Sequence, residues 1–127
     1  DGGNDIRHIC MVARTNELLK QYEAALATRD VQTYLVRRSE AEDRSKPGLR
    51  LATMHRVKGL EFDNIIIASV NDGIIPYNSN SESSDPVVIK DQDTQERALL
   101  YVAATRAEKM VLITCFGKPS SYLKDSL

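Results

Sequence analysis

The sequence predicts an α/β domain with a mainly parallel sheet flanked by helices, and three observations predict it. Short apolar runs of strand length alternate with segments whose apolar residues recur at helical spacing. The block Ile65-Ile66-Ile67 is continuous rather than alternating, as in a central parallel strand covered on both faces. The chain has 127 residues, which suits one domain around one core, spanning residues 1–127.

The elements follow in order. HICMVA (8–13) is a short apolar run between polar residues and reads as a buried strand. Leu18, Leu19, Tyr22, Ala25 and Leu26 then form one stripe on a helix of about 13 residues. Thr15 is placed to cap that helix, and Glu17 falls in its first turn, where the dipole favours an acid. QTYLVR (32–37) reads as a second strand, and the charged RRSEAEDRSKPG, ending in Pro-Gly, as a surface loop. LRLATM (49–54) and FDNIIIASV (62–70) are the third and fourth strands. From Asn71 to Asp93 the chain reads as irregular, with the polar, Ser-rich NSNSESSDP as a spacer. Asp93 and Glu96 have capping-box spacing, so the next helix is expected to start there and to carry Leu99, Leu100, Val102 and Ala103. MVLITCF (110–116) reads as a last buried strand, broken by Gly117-Lys118-Pro119, with a short helix after it. No internal repeat is visible.

Composition narrows the function classes. Hydrophobic residues make up 42% and charged residues 28%, ordinary for a soluble globular domain. No apolar run approaches the roughly 20 residues of a membrane span, and no secretory leader is visible, so a cytoplasmic location is expected. The opening DGGND lacks an initiator Met and reads as a segment of a longer protein. A net charge of −1 argues against a protein that coats nucleic acid with a uniformly basic surface, while leaving room for a few local contacts. Cys10 and Cys115 each sit in an apolar stretch and are expected to be buried reduced thiols. No Cys/His spacing suggests a metal site.

Three places break the pattern of a plain scaffold. Arg14 follows the first strand, at the edge where parallel sheets present ligands, and its planar fork suits a phosphate. A solvated loop arginine is the alternative. In TMHRVKGLEFD (53–63), Thr53 and His55 stand at a strand end, Gly59 permits close backbone approach, and Glu61 offers an acceptor for a sugar hydroxyl. Each is also compatible with a solvated surface role. In QERALLYVAATRAEKMVLI (95–113), Arg106 lies at the end of a helix. There it either caps its own dipole or reaches out as an arginine finger to a transferring phosphoryl group.

Taken together, these segments resemble the UvrD/Rep/PcrA group of superfamily 1 DNA helicases. LATMHRVKGLEFDNIII resembles their fifth motif, QERALLYVAATRAEKMVLI the sixth and MVARTN (11–16) the fourth. The resemblance covers about residues 6–117. It implies the C-terminal, second RecA-like domain of such a helicase, a fold of the P-loop NTPase type. By motif position Arg14 and Arg106 would contact the γ-phosphate of ATP, and Glu61, helped by backbone near Gly59, the ribose or nucleotide. Thr53 and His55 would contact the backbone of single-stranded DNA. The implied partners are single-stranded DNA and an N-terminal RecA-like domain of the same chain, and the implied activity is ATP-driven translocation with strand separation.

Two departures qualify this. No G-x-x-x-x-G-K-[ST] loop is present, so ATP with Mg2+ is expected to be held mainly by the other RecA-like domain, and the isolated chain is expected to be inactive. Only a short segment separates Arg14 from the fifth motif, where well-known members insert an accessory domain. A non-catalytic RecA-like binding or regulatory module, and the helicase half of a helicase–nuclease, are the alternative functions.

Overall fold

In a computed structural model of the chain, residues 6–36, 45–71, 74–75, 85–115 and 117–126 are described. After a 3-10 turn at Ile6–His8, the elements are β1 (Ile9–Ala13), α1 (Asn16–Ala27), β2 (Thr33–Leu35), β3 (Leu49–Thr53) and α2 (Met54–Val57). They continue with β4 (Phe62–Ile67), α3 (Pro86–Thr105), β5 (Ala107–Ile113) and α4 (Ser121–Ser126). The five strands form one sheet in the order β2-β3-β1-β4-β5, and every neighbouring pair is parallel. This is the expected α/β, RecA-like architecture.

Strand alternation sorts the core into two layers. Cys10, Val12, Ala52, Ile65 and Ile67 point to one face, where Met54 and Val57 of α2, Ala103 of α3 and Tyr122 of α4 cover them. Ile9, Met11, Ala13, Leu49 and Leu51 point to the other, packed by Leu18 and Leu19 of α1. Thr15 caps α1 as expected: it is extended, and its Oγ1 accepts from the Leu18 N–H at 3.3 Å.

Four expectations are corrected. First, α3 begins about two turns before Asp93. Asp85 is its N-cap, with Oδ1 accepting from Val87 N–H at 2.9 Å, and Pro86 takes the first turn, where a missing N–H is harmless. Of the predicted Ser-rich spacer, residues 78–84 lie outside the described residues, as do 37–44 of the charged loop. Asp93 is instead mid-helix, bonded to Arg97 Nε at 2.9 Å and to the Tyr122 hydroxyl at 2.6 Å. With Arg97 lying 4.2 Å over the Tyr122 ring, this triad fastens α4 to α3.

Second, β5 is an edge strand rather than a buried one. Met110 and Leu112 are 60% and 52% exposed, because α1 covers only the β1–β3 side of that face. Third, Cys115 lies past the end of β5 and is exposed, whereas Cys10 is buried as expected. Fourth, Met54, read as the last residue of the third strand, instead opens the one-turn helix α2, capped by Thr53 Oγ1, which accepts from Arg56 N–H at 3.2 Å.

Two glycines hold turns that flank β3. Gly59 (φ +85°) follows α2 and turns the chain back toward the start of β4. Gly48 (φ +119°) precedes β3, and a Cβ there would lie 2.9 Å from the carbonyl carbon of Thr33. Arg50, fully buried in β3, secures the same turn by donating to the carbonyls of Lys46 (2.7 Å) and Gly48 (3.0 Å) beneath the Tyr34 ring.

Two outcomes are expected. In urea unfolding, Gly59→Ala should cost about 1–2 kcal/mol, from positive φ alone. Gly48→Ala should cost at least twice as much, because backbone collision adds to strain. The hydrogen bond from Tyr122, then that from Arg97, hold the Asp93 carboxyl below its ordinary value. A depressed carboxylate stabilises the fold above its unfolded pKa of about 3.9 and loses that contribution as pH falls through the lower folded value. The melting temperature should therefore fall more steeply on acidification below about pH 4 in the wild type than in Asp93→Asn.

Candidate functional site

The parallel register decides which residues can meet. Ala13 and Thr53 are direct partners across β1 and β3, so the residues that follow them emerge side by side at the carboxyl edge of the sheet. Arg14, Thr53 and His55 thus share the wall of a cleft of about 920 Å³. Lys20 and Asn16 of α1, Arg56 of α2 and Lys58 complete its polar lining. Among the described residues, the lining sets Arg14, Lys20, Arg56 and Lys58 against one acid, Glu23. A chain of net charge −1 therefore concentrates positive charge at one edge.

Arg14 is not loose in this cleft. Its Nε donates to Glu96 Oε1 at 3.0 Å and its Nη2 to Oε2 at 2.7 Å, a two-pronged pairing across 82 residues of sequence. Both side chains are about a tenth exposed. Fork-to-fork geometry of this kind is the arrangement in which a largely desolvated ion pair holds together best. Arg14 and Glu96 also line a smaller groove of about 360 Å³ with His55, Lys58 and the apolar Met54, Leu99 and Val102.

The other expected residues gather at the opposite strand ends. Gly59 and Glu61 lead into Phe62, the first residue of β4, while Arg106 caps the C-terminus of α3 immediately before Ala107 opens β5. Phe62 and Ala107 are register partners, and Phe62 N–H donates to Arg106 O at 3.0 Å. The Arg106 Nη2 has a long contact of 3.4 Å to the neighbouring Thr105 Oγ1. Its Nε is buried and finds no acceptor among the described residues. A buried, unpartnered charged donor is costly, of the order of 1–3 kcal/mol, and is the kind of group an incoming oxyanion would satisfy. Glu61 is exposed nearby, sharing a hydrogen bond with Glu108. That bond first, and the charge of Glu61 second, hold the Glu108 carboxyl above its ordinary value.

The six expected residues thus fall into two sets, Arg14 with Thr53 and His55, and Arg106 with Gly59 and Glu61. Arg14 and Arg106, expected at one γ-phosphate, are not brought together. The Arg14 fork is bound to Glu96, ten residues and about 15 Å along α3 from Arg106. Sequence reasoning missed Glu96, Lys20 and Arg56. Glu96 lay within the third segment, but its spacing from Asp93 was absorbed by a capping reading. Arg56 lay inside the second segment without an assigned role, and Lys20 carries no motif signal; both become visible only once α1 and α2 face one cleft.

Comparison with known proteins agrees with the fold and adds the family. Residues 12–118 match the model of the UvrD-like helicase C-terminal domain. The chain is 31% identical over 117 residues to the candidate ATP-dependent DNA helicase YjcD of Bacillus subtilis, covering 90% of this chain and 14% of that protein. It is 38% identical over 81 residues to the ATP-dependent DNA helicase PcrA of Staphylococcus aureus, covering 58% of this chain and 10% of that one. Among solved structures, the C-terminal domain of a possible DNA helicase from Lactobacillus plantarum superposes with a TM-score of 0.65 at 22% identity, over 91% of this chain and 60% of that one. No helix among the described residues is long and apolar enough to cross a membrane. With a RecA-like parallel sheet and a family match across most of its length, the chain belongs to the UvrD-like helicase C-terminal domain family.

Proposed function

We propose that this chain is the second RecA-like half of an ATP-dependent motor that moves on single-stranded DNA. The observation that carries the proposal is the division of the site residues between the two ends of one parallel sheet. The basic cleft at the carboxyl edge suits a phosphodiester backbone, and the amino-end set suits a nucleotide.

At the amino end, Arg106 is the arginine finger. Its buried Nε has no acceptor among the described residues, and a γ-phosphate oxygen contributed across a domain boundary supplies one. Glu61 accepts from a ribose hydroxyl, and the turn at Gly59 keeps the backbone close to it. ATP bound with Mg2+ supplies the phosphoryl chemistry, and the phosphate cradle belongs to an N-terminal RecA-like domain. This chain's part is to place a fixed cation opposite that cradle.

At the carboxyl end, Thr53, His55 and Lys58 take the backbone of single-stranded DNA. Arg14 opens onto the same cleft with its fork held by Glu96, and its motif position gives it to the γ-phosphate. The contacts are to phosphates rather than base edges, so this half grips DNA without reading sequence. A domain with one set at each strand end can move its DNA grip when its nucleotide end is drawn against the other half.

Two measurements on the full-length chain test this. Arg106→Ala should lower DNA-stimulated ATP hydrolysis by about 10³ or more, with affinity for single-stranded DNA within about threefold of the wild type. Retention of the full rate would sink the assignment. Lys58→Ala should weaken binding to single-stranded DNA equally across sequences and reduce the salt slope by about 0.7 for the one phosphate contact removed. An unchanged slope would remove Lys58 from the DNA path.

A further inference from the structure

Among the described residues, Glu96 is the acid that the fold buries, and a buried carboxylate calls for a reason. Capping is not that reason, since Glu96 sits 11 residues beyond the Asp85 N-cap of α3. Its two oxygens hold Arg14 instead, Oε1 accepting from Nε at 3.0 Å and Oε2 from Nη2 at 2.7 Å. Net stability is a weak reason for such a pair, because apolar side chains of similar volume would fill the same space at no desolvation cost.

What the pair does is fix the far end of Arg14. Arg14 stands on the short turn between β1 and α1. Its backbone is held on both sides, by Ala13 in register with Thr53 and by Thr15, which caps α1. Its side chain is long, and an arginine leaving a turn has many rotamers until its tip is tied down. Two parallel bonds from one carboxylate set the plane of the guanidinium as well as its place, which a single bond would not do. The anchor is firm, since Leu99 and Ala103 pack the same helix into the core. The pair is also one-sided. Arg14 lines the cleft of about 920 Å³, whereas Glu96 lines only the smaller groove. An anion entering the cleft therefore meets the cation and not the carboxylate that holds it.

We propose that Glu96 is a positioning residue that holds the Arg14 guanidinium ready for the nucleotide phosphate, so that no reordering is needed as charge develops in the transition state. The inference rests on the assignment of Arg14 to the γ-phosphate made above and adds the residue that aims it. Glu96 touches no ligand and acts through Arg14. Pairing with a carboxylate reduces the pull of Arg14 on anions in general, so the contribution is to turnover and not to ground-state affinity for ATP.

The test is steady-state ATP hydrolysis by the full-length chain at saturating single-stranded DNA, with kcat and the KM for ATP measured separately. Each variant is assayed at a temperature where circular dichroism shows it folded. Glu96→Gln keeps the shape but loses the charge and one acceptor. Its kcat should fall by at least about tenfold, with KM within about threefold of the wild type. Arg14→Lys keeps the charge but cannot form the fork, and should fall at least as far. Because Glu96 acts through Arg14, the double variant should be within about twofold of Arg14→Lys. A merely structural role would lower the melting temperature and leave kcat per folded molecule where it was. Should Glu96→Gln fold poorly, guanidinium ion added to Arg14→Ala gives a second readout. The ion, seated on the Glu96 carboxylate, should raise the rate by at least about fivefold, and this rescue should vanish when Glu96→Gln is added. Full kcat in Glu96→Gln beside an impaired Arg14→Lys, or a rescue that survives loss of the carboxylate, overturns the inference alone. Full kcat in Arg14→Lys removes Arg14 from the phosphate and overturns both that assignment and the inference. A wild type without DNA-stimulated hydrolysis overturns the motor proposal with them.

Discussion

The arrangement depends on β1 lying in the middle of an all-parallel sheet, with β3 on one side and β4 on the other. Parallel strands put all their carboxyl ends on one edge and all their amino ends on the other. A chain that alternates strand and crossover must therefore deliver its loops to two separate places. The crossover from β3 to β4 is the most economical case. Within residues 54–61 it leaves the carboxyl edge at Thr53, forms α2, turns at Gly59 and arrives at the amino edge at Glu61. One short motif thus supplies residues to both edges. Its continuity in sequence conceals a separation in space.

The Arg14–Glu96 pair ties the turn after β1 to the middle of α3. In water an ion pair of this kind would contribute little. Here both groups are about nine-tenths covered, and each is left with a severe penalty if the other is removed. The pair is poor evidence of net stability, since apolar residues of similar volume would serve the core as well. Its value is directional. It fixes a planar, permanently charged group on a loop to one place on a helix.

Much of the fold was legible in the sequence because periodicity carries it. The apolar runs marked five strands, the Thr15 cap was read correctly, and the third segment was placed on a helix ending near Arg106. The misreadings share a physical origin, in that local patterns do not report what lies opposite them. MVLITCF looks as apolar as the Ile65-Ile66-Ile67 run, yet β5 is exposed because it is an edge and no helix covers its outer face. Asp93-x-x-Glu96 satisfies a capping pattern, but the helix is capped upstream at Asp85-Pro86, which leaves both acids for tertiary contacts. Of the candidate site, the six residues were named from the motifs and their resemblance, and their grouping was not. The grouping needs the strand register, which residue spacing does not contain.

Net charge illustrates the same limit from the side of electrostatics. A formal charge of −1 gives no hint of nucleic-acid contact, and an average over the surface is the wrong quantity to consult. Charges separated by more than a Debye length, about 8 Å at physiological salt, are largely independent where they face solvent. An anion in the cleft would meet Lys20, Arg56 and Lys58, with Arg14 already paired to Glu96, and would lie away from Glu61, Asp63 and Glu108 at the other strand ends. The acids are not wasted by that separation. They place acidic side chains beside Arg106 at the amino ends of the strands, whereas the carboxyl edge is lined mainly by cations. A net charge near zero thus hides an uneven distribution, with basic side chains gathered along the cleft at the carboxyl edge and acids grouped at the amino ends.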